Sequence, residues 1–128
     1  MEPNVTDHKQ IHVLLVEDEI MISEWVAQSL SEQGFAVRTA ANAEDALDYL
    51  AADEVDVLLT DINLPGGMDG GQVAEAARKL RPAVKILFIT GFAEKAVLSH
   101  GHIEAGMSVL TKPFAMEALA SRVKGLLL

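Results

Sequence analysis

Five residues in this chain are of types that handle phosphate or a hard metal ion: Glu17, Asp18, Asp61, Thr90 and Lys112. Each follows a short apolar run. Glu17 and Asp18 come after Ile11–Val16, Asp61 after Val55–Thr60, Thr90 after Val84–Ile89, and Lys112 after Met107–Thr111. Carboxylates brought together repel: two like charges about 4 Å apart cost about 4 kcal/mol at an effective dielectric of about 20. Three acids and one lysine sum to −2, and a hard divalent cation such as magnesium, which prefers carboxylate oxygens and water, would neutralise that. A carboxylate beside a divalent ion, a lysine and a hydroxyl can act as nucleophile toward a phosphoryl group. The cations would stabilise charge on the transferring oxygens. Taken singly, each residue has a plain structural reading: acids after a strand often shape turns, a threonine there is often structural, and a lysine before proline is often solvated. Their convergence is what points to chemistry.

That convergence requires the runs to be strands of one parallel sheet. Short Val- and Leu-rich runs bounded by turn residues read as strands buried on both faces. Between them lie helical stripes. Ile22, Val26 and Leu30 repeat at helical spacing and stop at Gly34,. Asn42 with Asp45 resembles an N-cap ahead of Ala46, Leu47 and Leu50,. A third helix starts near Asp69, with Val73, Ala77 and Leu80 expected inward and Pro82 beyond its end,. A short fourth helix is expected around 93–99, broken by Ser99-His100-Gly101-His102. The last starts near Ala115, with Met116, Leu119 and Val123 on one face, and with Glu117, Arg122 and Lys124 placed to suit the helix dipole,. Phe35–Thr39 alternates more than the other runs, as an edge strand would,. Five strands alternating with five helices give an α/β fold, a parallel sheet covered on both faces with right-handed crossovers. All five residues then share the carboxyl edge of the sheet, where open parallel sheets bind ligands.

Bulk composition narrows the function. The 128 residues suit one domain, and 50% hydrophobic content supplies a core that must be mostly aliphatic because aromatics are 5%,. A net charge of −9 argues against nonspecific nucleic-acid binding,. The absence of cysteine excludes disulfides and thiolate metal sites,. No signal peptide is visible in Met1–His8 and no apolar run approaches a membrane span of roughly 20 residues,. Residues 1–9 read as a flexible lead-in.

The pieces Leu14-Leu15-Val16-Glu17-Asp18-Glu19, Leu59-Thr60-Asp61 through Asp69-Gly70, Ile89-Thr90-Gly91 and Thr111-Lys112-Pro113-Phe114 together resemble the receiver domain of two-component response regulators. The resemblance runs from about Ile11 to Leu127, with residues 10–128 as the receiver. It implies a three-layer, doubly wound, flavodoxin-like (βα)5 fold with strand order 2-1-3-4-5. It implies further that Asp61 accepts a phosphoryl group from a histidine kinase's phosphohistidine. Asp18, Asp61 and the backbone carbonyl of Asn63 would ligate magnesium directly, with Glu17 holding the ion through water. Lys112 would contact the phosphate, Thr90 would move on phosphorylation, and the Lys112-Pro113 bond would be cis. The implied partners are a sensor or hybrid histidine kinase and, beyond it, a histidine phosphotransfer protein or downstream protein. A cytoplasmic location is expected, with no nucleic acid and no membrane insertion.

Three departures stand out. Val109 occupies a position where many members carry Tyr or Phe, Gly66-Gly67 lengthens the loop after Asp61 by one residue, and Phe92 replaces a commonly polar residue. Two other functional classes share parts of this pattern. An aspartate-nucleophile phosphatase needs a second acid two positions after the nucleophile, where this chain has Asn63, which cannot transfer a proton,. A phosphorylation-independent adaptor with the same fold would not need all of Glu17, Asp18, Asp61, Thr90 and Lys112. His100 and His102 read as solvated rather than metal-binding, and the Gly125–Leu128 tail reads as packing onto the core.

Overall fold

The computed structural model describes residues 10–62, 64, 66, 68–91 and 106–127. The expected helix around 93–99, Phe92, His100, His102, Asn63, the lead-in 1–9 and Leu128 lie outside the described residues. In chain order the elements are β1 (His12–Val16), α1 (Ile20–Glu32), β2 (Ala36–Ala40), α2 (Ala43–Ala52), β3 (Val57–Asp61), α3 (Gly70–Leu80), β4 (Lys85–Thr90), β5 (Met107–Thr111) and α4 (Met116–Leu126). The five strands form one all-parallel sheet in the order β2-β1-β3-β4-β5. The expected order and the edge position of the second strand are both found.

Strand alternation splits the core in two. Leu14, Val16, Leu58, Ile86 and Phe88 pack with Ala46 and Leu50 of α2 and Val73, Ala74 and Ala77 of α3. Val13, Leu15, Val57, Leu59, Leu87, Ile89 and Leu110 pack with Val26 and Leu30 of α1 and Leu119 and Val123 of α4. β3 is buried along its whole length, as a central strand covered by helices on both faces must be.

Local signals set the helix ends. At the end of α1, Gly34 takes φ +98°. Its N–H donates to Ser31 and that of Phe35 to Leu30, the paired bonds that satisfy a helix's last carbonyls. Asn42 accepts the Asp45 N–H at 2.8 Å and caps α2. Asp69 and Gln72 exchange side-chain and backbone hydrogen bonds, both 3.0 Å, in a capping box that fixes the start of α3,. The Lys112-Pro113 bond is cis. Leu126 and Leu127 pack against the core, as expected of the tail.

Two expectations need correction. Leu80 is 51% exposed rather than inward; it is the last residue of α3, and it lines an open groove with the turn toward β4, the turn Glu54–Asp56 before β3, and Leu127. Arg122 stands ahead of the last turn of α4, where Lys124 is the basic residue. Its guanidinium donates to the Ser108 hydroxyl at 2.9 Å and the Val109 carbonyl at 2.7 Å, tying α4 to the edge strand. Val109 itself is only partly buried, against the layer that includes Phe88.

Candidate functional site

The alternation that builds the core also aims the charged groups. Val13 and Leu15, Val57 and Leu59, and Leu110 all face the α1–α4 layer. Two residues further along their strands, in the same phase, come Glu17, Asp61 and Lys112. Lys112 Nζ accordingly lies 2.8 Å from Asp61 Oδ2 and 3.6 Å from Glu17 Oε1. Thr90 follows the phase of Ile86 and Phe88, which face the other layer. It is buried, and its carbonyl accepts the Lys112 N–H at 2.8 Å. The hydroxyl-bearing residue and the lysine are thereby locked side by side at the ends of β4 and β5.

Glu17 is only 3% exposed and Asp61 7%, whereas Asp18 lies in the open. Carboxylate oxygens of Glu17, Asp18 and Asp61 all lie within 4.8 Å of one another. Burial raises the Glu17 carboxyl above its ordinary value. The Glu19 N–H bonded to Glu17 Oε2 at 3.1 Å and the Lys112 charge oppose this, while Asp61 and Asp18 add to it. Burial pulls the Lys112 ammonium down, but its hydrogen bond to Asp61 and the charges of Asp61, Glu17 and Glu19 outweigh that and raise it. Among the described residues the net arrangement is an anionic cleft with Lys112 as its cation. The all-oxygen donor set suits a hard divalent ion rather than a soft one. Of the residues singled out in the sequence, Glu17, Asp18, Asp61, Thr90 and Lys112 meet at one sheet edge; Asn63 lies outside the described residues.

Three features escaped the sequence reading. Gly70 abuts the Asp61 backbone, where an added Cβ would stand 2.1 Å from the carbonyl oxygen; a glycine at the first position of a helix was the available signal. Thr60, wholly buried, donates its hydroxyl to that same carbonyl at 2.9 Å. Phe114, two residues after Lys112, stacks on Trp25 of α1 with ring centroids 6.0 Å apart and planes 15° apart. No local pattern announces that contact.

The chain matches the family model for the response regulator receiver domain over residues 13–124. The chain belongs to the response regulator receiver family. Receiver relatives include part of the sensor kinase CckA of Brucella abortus, 35% identical over 117 residues. Another is the response regulator receiver protein CpdR of the same organism, 33% identical over 116 residues. The aligned region covers 90% of this chain but 12% of CckA, and 91% of this chain and 96% of CpdR. Among solved structures, a response regulator receiver protein from Sinorhizobium medicae superposes with a TM-score of 0.85 at 30% identity, covering 93% of this chain and 95% of that one. The receiver domain of the hybrid histidine kinase CckA gives 0.78 at 32%, covering 91% and 99%. The receiver fold is thus flavodoxin-like as expected, and the chain is a phosphoacceptor signalling module of the two-component type. Among the described residues no helix is long and apolar enough to cross a membrane.

Proposed function

We propose that Asp61 is the phosphoacceptor of a receiver unit spanning residues 10–128, taking its phosphoryl group from a histidine kinase's phosphohistidine. The observation that carries this is the buried Asp61 carboxylate with Lys112 Nζ at 2.8 Å and two further acids around it. A carboxylate oxygen of Asp61 forms the new O–P bond. The P–N bond breaks, and its electron pair leaves on the donor imidazole. Lys112, held beside Thr90 by the 2.8 Å backbone bond, supplies positive charge for the equatorial phosphoryl oxygens, and the Thr90 hydroxyl offers them a donor. Asp18 and Asp61, with the Asn63 carbonyl, would hold a magnesium ion directly and Glu17 would hold it through water; when bound it supplies further charge neutralisation for the transferred group. Phosphorylation adds about −1.5 to −2 charge at neutral pH, and its engagement by Lys112 and Thr90 biases the ends of β4 and β5 toward a second arrangement. That arrangement alters a partner-binding surface, in a cytoplasmic signalling pathway.

Incubation with acetyl phosphate and magnesium followed by intact mass tests the assignment. The wild type is expected to gain the mass of one phosphoryl group and Asp61→Ala none. An unmodified wild type, or an adduct retained on Asp61→Ala, refutes it.

The surface beside the acids supports a protein donor. Met21 is 82% exposed and Trp25 48%, with Ile20 also exposed. These residues open α1 directly after Glu17-Asp18-Glu19, and Trp25 is backed by Phe114. Exposed clusters of large apolar groups mark interaction sites, and aromatic anchors often dominate such interfaces. Trp25→Ala is expected to slow transfer from a phosphorylated histidine phosphotransfer domain about tenfold or more and to leave uptake from acetyl phosphate unchanged. Equal slowing with both donors would remove α1 as the docking face.

A further inference from the structure

Two uncharged residues grip the backbone carbonyl of Asp61. Thr60 is wholly buried and donates its hydroxyl to that oxygen at 2.9 Å. Gly70 approaches so closely that a Cβ would lie 2.1 Å from the oxygen and 2.9 Å from both Asp61 C and Ile62 Cα, and its N–H donates to Ile62 O at 2.8 Å. Ordinary contact begins at 3.4 Å, so one of the two backbones must shift to admit a methyl group. The helix cannot easily recoil. Its first turn is pinned by the Asp69–Gln72 capping box and its inner face, Val73, Ala74 and Ala77, is buried.

We infer that Thr60 and Gly70 are positioning residues for the Asp61 carboxylate: they fix its backbone so that the side chain meets Lys112 and the metal-binding acids. The inference rests on the reading of Asp61 as phosphoacceptor. An aspartate side chain has two torsions, so its carboxylate is placed chiefly by the main chain behind it. Displacement of a reacting group by about 1 Å can cost on the order of a hundredfold in rate. Neither residue touches the transferred group; both act through the Asp61 main chain. Local satisfaction of a buried hydroxyl and tight packing of a glycine would leave the same contacts but predict only a stability cost.

The test compares Thr60→Val, which keeps the shape and loses the hydroxyl, with Thr60→Ser, which keeps the hydroxyl, together with Gly70→Ala and, as a control, Gly125→Ala, where a Cβ meets nothing within 4 Å. Acetyl phosphate uptake is resolved into the rate at saturating donor and the half-saturating concentration. Magnesium affinity is measured by calorimetry well below each variant's melting temperature. Thr60→Val is expected to lower the saturated rate about tenfold and Gly70→Ala about tenfold to a hundredfold, both with weakened magnesium binding, while Thr60→Ser and Gly125→Ala stay within about twofold of the wild type. Variants that melt lower yet react and bind magnesium like the wild type overturn the inference. If Gly70→Ala does not fold, the Thr60 pair decides. A wild type that takes up no phosphoryl group overturns the reading of Asp61 and this inference with it; a reactive wild type with equally reactive Thr60→Val overturns the inference alone.

Discussion

Lys112→Ala is expected to slow phosphoryl uptake at Asp61 about a hundredfold, the scale found when one preorganised donor to a developing negative charge is removed. It should also lower the melting temperature of the metal-free protein and enlarge the rise that magnesium produces. These three effects follow from one charge. With Lys112 present, Glu17, Asp18 and Asp61 sum with it to −2; without it they sum to −3. The Lys112 side chain is 26% exposed and its partners nearly buried, so its loss falls between the exposed and buried limits for broken ion pairs, about 2 kcal/mol. The linkage has a defined sign. The ammonium value is raised in the folded protein, so its stabilisation is complete below the unfolded value and is lost only as pH climbs through the folded one; at neutral pH all of it is present to be removed. The stronger negative field left behind attracts a divalent cation more, hence the larger magnesium response. Lys112→Arg separates charge from geometry. It preserves the sum of charges and most of the melting temperature, but a planar guanidinium does not reproduce a point contact at 2.8 Å,, and uptake should still fall. Uptake by Lys112→Ala within about threefold of the wild type would remove Lys112 from the chemistry.

The fold was legible wherever one residue's local chemistry forces one conformation. The Val- and Leu-rich runs of β1, β3 and β4 are strands buried on both faces, whereas β5 at the sheet's edge is mostly half-buried; Gly34 supplied the positive φ that ends α1, and Asn42 and Asp69 capped the helices they precede. The charged part of the site was legible for a related reason: strand phase carries Glu17, Asp61 and Lys112 to the face already marked by Val13, Leu15, Val57, Leu59 and Leu110. What the sequence hid depends on which atoms meet across the chain. Leu80 continues the inward stripe of α3 by spacing, but the helix stops there and its flank stays open. Arg122 lies toward the end of α4, yet its guanidinium reaches across to the Val109 carbonyl of β5, the edge strand among the described residues. Thr60 and Gly70 carry no charge and no metal-ligand signature; the glycine at the start of α3 signals a close approach, but not that the Asp61 carbonyl is what it approaches. The Trp25–Phe114 stack joins residues far apart in sequence through the packing of α1 beside the loop after Lys112.

Magnesium is expected to raise the melting temperature of the wild type, and substitutions at the two acids after β1 should divide that effect in a way simple destabilisation cannot imitate. Binding to the folded form alone stabilises by about 2.7 kcal/mol at a hundredfold excess over Kd, several degrees for a domain of this size. Asp18 is exposed, so Asp18→Ala should leave the metal-free melting temperature nearly unchanged and abolish most of the magnesium-dependent rise. Glu17 is buried, and its carboxyl is raised chiefly by that burial. The folded state therefore holds this proton more tightly than the unfolded one, and the contribution of this group to stability falls as pH rises from the unfolded value through the folded one. Above that window the ionised carboxylate is a standing cost in the metal-free protein. Glu17→Gln removes the charge while keeping an oxygen for the Glu19 N–H, so it should melt above the wild type without magnesium and gain less when magnesium is added. Thermal melts of the three proteins, with and without magnesium at neutral pH, decide the matter. A Glu17→Gln protein that melts below the wild type in the absence of metal would mean that the Lys112 attraction outweighs burial. An undiminished magnesium rise in Asp18→Ala would place the ion elsewhere.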